Sequence, residues 1–184
     1  MLPSQAHAQR FADVTPDYWA YNFIETLADA GVTAGCGNGN YCPEALVSRA
    51  QMAVFIERGI NGSGFSPPAA TGNVFTDIAA GDFAAAWIEQ FFADGITVGC
   101  GNNKYCPDNS VTRAEMAVFL ERGMRGSGFS PPPATGVFSD VGVGDFAAAW
   151  IEQLAADGIT VGCGGGKFCP ANQVTRAEMA VFLV

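Results

Sequence analysis

The chain repeats itself three times. Phe11-Ala-Asp13-Val14, Phe75-Thr-Asp77-Ile78 and Phe138-Ser-Asp140-Val141 recur at an interval of about 64 residues in a chain of 184. The second and third copies share FAAAWIEQ (83–90 and 146–153), ADGITVGCG (93–101 and 156–164) and VTRAEMAVFL (111–120 and 174–183), while the first has diverged further. A unit this short cannot bury its own apolar residues, so the units must pack on one another. Three of them can close into a ring. The units read as 10–60, 74–124 and 137–184, with connectors at 61–73 and 125–136 and a residual signal or flexible segment at 1–9.

GINGSGFSPPAATG (59–72) and GMRGSGFSPPPATG (123–136) mark the connectors. Glycine, serine and proline at that density oppose helix and strand interiors, and the paired prolines favour an extended path. Within a unit the pattern predicts helix, tight loop, helix, so the fold class is mainly α. The first helix carries an apolar stripe at i, i+4, i+5 and i+8: Trp19, Phe23, Ile24 and Leu27, then Phe83, Trp87, Ile88 and Phe91, then Phe146, Trp150, Ile151 and Leu154. These aromatic residues, Trp19, Trp87 and Trp150 included, are expected in the core rather than as platforms for a sugar. Glu89, Glu152, Asp94 and Asp157 read as solvated helix faces. Gly31, Gly95 and Gly158 suit the left-handed residue that ends a helix. Thr112-Arg-Ala-Glu115 and Thr175-Arg-Ala-Glu178 have the form of a capping box, with Ser48-Arg-Ala-Gln51 as the variant in unit one. The helix that starts there should bury Met52, Phe55 and Ile56, or Met116, Phe119 and Leu120, or Met179, Phe182 and Leu183.

The six cysteines form three like pairs, Cys36/Cys42, Cys100/Cys106 and Cys163/Cys169, each in a Gly-Cys-Gly…Tyr/Phe-Cys-Pro segment. Zinc knuckles use two to four intervening residues and a following second pair. Here the interval is five, and a zinc ion would need cysteines from two units. A local disulfide across each turn is the preferred reading, with no metal or cofactor; closing so short a loop restricts the unfolded chain by roughly 2 kcal/mol. Disulfides imply an oxidising compartment, and Ala6-His7-Ala8 has the form of a secretory cleavage site. The protein is expected outside the cell.

Nine Lys+Arg against eighteen Asp+Glu leave a formal charge of −9, with no basic cluster. Nucleic acid and anionic membrane surfaces are excluded as partners, because both need dense cationic charge. No apolar run approaches the roughly 18 residues of a membrane helix. His7 is the one histidine, so histidine-based catalytic and metal sites lack a central residue. Catalytic carboxylate pairs need unlike environments, and near-identical units supply like ones. A non-catalytic protein is expected.

The capping box accounts for the threonine and the glutamate but not for Arg49, Arg113 and Arg176, each at the first helical position. A cation there opposes the helix dipole by roughly 0.3–1 kcal/mol, so an anion must offset it. Two readings stay open: an internal salt bridge to Asp13, Asp77 or Asp140, or an external carboxylate or phosphate held with free helix N–H groups.

Taken together, Phe-x-Asp-Val, an aromatic-bearing helix, Gly-Ile/Val-x-x-Gly, aromatic-x-Pro and Val-Thr-Arg-Ala-Glu in threefold array resemble tandem S-layer homology domains over nearly all of 11–184. The resemblance implies three repeats packed as a pseudo-threefold prism. It implies a protein of the bacterial surface that binds cell-wall polysaccharide, often a pyruvylated polymer, in grooves between repeats. Groove roles would then fall to Arg49, Arg113 and Arg176, to Asp13, Asp77 and Asp140, and to Gly35, Gly99 and Gly162. The cysteine pairs lie outside the common pattern and mark a disulfide-containing variant. The alternative is a self-assembling extracellular filament or lattice subunit, a homo-oligomer whose repeats pack between chains, suggested by a third unit that stops at Val184 and by the lack of an attached partner domain.

Overall fold

In the computed structural model, which describes residues 9–184, each unit supplies two helices: α1 (Tyr21–Asp29) and α2 (Arg49–Asn61), α3 (Ala85–Ala93) and α4 (Arg113–Arg125), α5 (Ala148–Ala156) and α6 (Arg176–Leu183). The candidate cleavage segment Ala6-His7-Ala8 lies outside the described residues. All three capping boxes form: Ser48, Thr112 and Thr175 accept the third helical amide, while Gln51, Glu115 and Glu178 reach back to the cap amide. Gly31, Gly95 and Gly158 end the first helices at φ of +71°, +71° and +77°, as the left-handed cap requires.

The helix pairs join neighbouring units: α2 packs on α3, α4 on α5, and α6 on α1, so the last unit closes onto the first. At the centre a hydrogen-bonded triangle fastens the ring. The Val47 N–H donates to Val174, Val174 to Val111 and Val111 to Val47, each at 2.9 Å. All three valines are fully buried, and so are Met52, Met116 and Met179 on the second helices beside them. Repeated apolar positions thus meet around a pseudo-threefold axis, which is the prism the resemblance implies.

The first-helix stripes are buried only in their second half. Ile24, Leu27, Ile88, Phe91, Ile151 and Leu154 are in the core, but Phe83 and Phe146 are each 70% exposed and Trp19 is 60% exposed. The backbone explains this. Ala84 and Ala147 precede the helices at φ of +60° and +63°, so Phe83 and Phe146 stand outside the helical period that was to bury them. Trp87 and Trp150 are half-buried, each edge-on to a connector ring, Phe65 or Phe129. The connectors are tied down by the glutamates read as solvated: Glu89 accepts the N–H groups of Thr71 and Gly72, and Glu152 those of Thr135, Gly136 and Val137. Burial pushes Glu152 up, yet those amides hold it down at about 2.

Candidate functional site

Each Phe-x-Asp aspartate faces its own unit's disulfide loop and not an arginine. Asp13 accepts the amides of Tyr41 and Cys42, both at 2.7 Å; Asp77 takes Tyr105 and Cys106, and Asp140 takes Phe168 and Cys169, all at 2.8 Å. The Phe168 amide, with that of Cys169, holds Asp140 below the usual carboxylate range. Disulfides Cys36–Cys42, Cys100–Cys106 and Cys163–Cys169 close the same loops. Gly35, Gly99 and Gly162 lead into them at φ near +90°. A side chain there would meet the ring of Phe11, Phe75 or Phe138 within 2.9 Å and run into the carbonyl of Asn40, Lys104 or Lys167.

The arginines reach across to the next unit. Arg49 Nε donates to the Tyr105 carbonyl at 2.8 Å, Arg113 to Phe168 at 2.8 Å, and Arg176 to Tyr41 at 2.7 Å. Each guanidinium lies 4.6–5.0 Å from the centroid of that same aromatic ring and near a second, Phe119, Phe182 or Phe55. The salt bridges to Asp13, Asp77 and Asp140 that formed one of the two readings are not made, because loop amides occupy those carboxylates. Among the described residues only Arg49 of the three pairs with a carboxylate, Glu115 Oε1 at 2.7 Å. The free helix amides proposed for an anion are also taken: the Arg49 N–H donates to Asn109, Arg113 to Asn172 and Arg176 to Ala45, at 2.8–2.9 Å. A loop carbonyl and two ring faces therefore offset the dipole penalty.

The same donor is left over in every unit. Arg49, Arg113 and Arg176 are 2%, 6% and 4% exposed, and the Nη2 of each is buried without a hydrogen-bond partner. Burial lowers the affinity of Arg113 and Arg176 for their protons, against the opposing pull of Glu178 and Asp140 on the first and of Tyr41 and Asp13 on the second.

Each arginine lines a groove between units. Groove one, about 650 Å³, is bounded by Thr33, Gly35, Gln51, Phe83, Trp87 and Arg176. Groove two, about 170 Å³, matches it with Thr97, Gly99, Glu115, Phe146, Trp150 and Arg49. Groove three, about 250 Å³, has Thr160, Gly162, Glu178, Trp19 and Arg113. Every groove thus combines a buried cation with an exposed aromatic ring, Phe83, Phe146 or Trp19. These three rings share one repeat position, aromatic in every unit; that was the available signal, and the helical period misassigned it to the core. The structure brings the arginines and glycines together in the grooves and places the aspartates behind the loops they hold.

The model of the S-layer homology domain matches residues 10–53, 74–117 and 137–180. The chain belongs to the S-layer homology family. Its relatives include the amylopullulanase of Thermoanaerobacterium thermosulfurigenes, 31% identical over 91% of this chain and 9% of that protein. The S-layer protein of Bacillus licheniformis is 27% identical over 98% of this chain and 20% of its own length. The surface-layer 125 kDa protein of Lysinibacillus sphaericus is 27% identical over 89% and 14%. The chain therefore spans a fifth or less of these relatives, and in the amylopullulanase the shared part is an accessory portion. S-layer homology domains are binding and anchoring modules, and the S-layer relatives point to the cell surface. Among the described residues no helix is long and apolar enough to cross a membrane.

Proposed function

We propose that this chain is an exported, non-catalytic anchor that holds an anionic, pyruvylated cell-wall polysaccharide in its grooves between units. One observation carries the reading: a buried arginine Nη2 without a partner lies in each groove that an exposed aromatic ring also lines. A guanidinium recognises a carboxylate, and a ring face suits the apolar face of a sugar. A ketal-linked pyruvate puts both features on one residue of a polymer. Three disulfides support export to an oxidising setting.

Cosedimentation tests it. The protein should pellet with purified cell-wall material and stay in solution once mild acid has removed the ketals, and light scattering should give discrete particles. Rods or sheets in polymer-free buffer, with no wall binding, would establish self-assembly instead.

A further inference from the structure

Grooves one and two differ in charge at a single position, the third helical residue, Gln51 against Glu115; groove three carries Glu178 there but is lined by one arginine where the others have two. Each side chain serves its capping box. Glu115 has an oxygen to spare: Oε2 takes the Thr112 amide, and Oε1 reaches Arg49 at 2.7 Å. Gln51 does not, because its one oxygen accepts the Ser48 amide and what remains is an amide donor. Arg176 therefore has no carboxylate in its groove. Arg58 also lines groove one, stacked on Trp87 with its buried Nε unpartnered. Groove one is lined by two guanidinium groups and no carboxylate, whereas groove two sets Glu115 beside its two, Arg49 and Arg122, and groove three sets Glu178 beside one, Arg113. It is also the most spacious of the three.

We propose that groove one is the principal anion site of this chain, that it takes a carboxylate carried on a sugar, and that the residue at position 51, 115 or 178 sets how strongly each groove binds. This rests on the anionic-polysaccharide reading above and adds which groove does the work. In groove two the protein's own Glu115 occupies the arginine that a ligand would need. In groove one the Nη2 of Arg176 and the amide of Gln51 are donors on the same cavity.

Trp87, Trp150 and Trp19 each line a different groove, so their indole N–H signals report the grooves separately by NMR. The probe is the pyruvate 4,6-ketal of a methyl hexoside, with the plain methyl hexoside as the neutral control. The ketal should shift Trp87 at the lowest concentration. Gln51→Glu should weaken the Trp87 titration about tenfold, and Glu115→Gln should strengthen the Trp150 titration by a similar factor, the scale of one charge-assisted contact. Both variants should keep the fold, since each introduces the capping residue of another unit.

An unchanged Trp87 titration in Gln51→Glu, or a first response at Trp150, overturns the ranking while leaving the anion reading intact. Equal shifts with the neutral sugar overturn the role given to the carboxylate. No indole response to the ketal overturns the groove assignment, and cosedimentation of the same sample with cell wall then decides whether anchoring survives.

Discussion

Where α4 packs on α5, Glu115 of α4 holds Arg49 of α2, and Arg125 bridges Glu121 and Asp157. Between α2 and α3 the equivalent positions carry Gln51 and Asn61, so Arg176 lacks a carboxylate and Glu57 faces Asp94 with only Asn61 beside it. Burial, and then Asp94, push Glu57 up to about 7. Burial also raises Glu121, but there Arg125 works against the shift. The two interfaces share their helix packing, caps and core, so charge can change without moving the backbone. Backbone hydrogen bonds and apolar burial carry the prism. The charged positions are left free to differ, and one interface forms ion pairs where the other has neutral amides.

The largest expected difference comes from the arginines. Arg49→Ala leaves the Tyr105 carbonyl unpaired and strips Glu115 of its cation, a loss of about 3–4 kcal/mol, or roughly 6–16 °C in Tm by calorimetry. Arg176→Ala leaves only the Tyr41 carbonyl and should cost about half as much. Equal losses would break the comparison.

Next is the pH response. Glu57 titrates near 7 in the fold against an ordinary value of 4.5, so the folded state binds its proton more tightly across that window. The stability contributed by Glu57 is fullest below pH 4.5, falls as pH rises toward 7 and stays lower above it. Glu57→Gln should therefore gain about 2–3 kcal/mol at pH 8 and nothing at pH 4.5 in urea titrations. Glu121→Gln should gain less, because it removes a partner of Arg125. Matching gains would erase the distinction between the interfaces.

Removing Cys36 with Cys42, or Cys100 with Cys106, by alanine should cost about 2 kcal/mol in either loop, since the closed loops are equally long. Unequal midpoints in denaturant would show that the loops differ beyond their charges. The smallest effect is expected of Asn61→Arg, which copies Arg125 into the first interface. It should add about 1 kcal/mol at pH 8 and flatten the pH dependence assigned to Glu57. A variant that leaves that dependence unchanged would remove Asp94 as its cause.

Much of the fold was legible. The repeat, the capping boxes, the disulfides, the helix-ending glycines and the buried side of α2 and α4 appear as the residues predicted. The grooves were legible only through resemblance. The aspartates were one of two candidate partners for the arginines, yet they hold amides 28 and 29 residues along the chain in their own loops. Phe83 and Phe146 were expected in the core, yet Ala84 and Ala147 turn the chain before the helix begins. Glu89 and Glu152 were read as solvated, yet they fasten connectors that carry no periodic pattern. For the aspartates and glutamates the deciding partner lies outside the window that a helical period can sample, and for the phenylalanines it is a left-handed backbone at the next residue, which a period of side chains does not record.

The sequence by itself determined where the helices start and stop and which residues cap and cross-link them, because a cap joins residues three apart and each disulfide spans six. Only the tertiary structure decided what Arg49 and Arg176 touch, across 56 and 135 residues. Those contacts exist because three units close on one axis. Ring closure leaves the Nη2 of Arg49, Arg113 and Arg176 unpaired in the grooves, and no local rule could have placed it there.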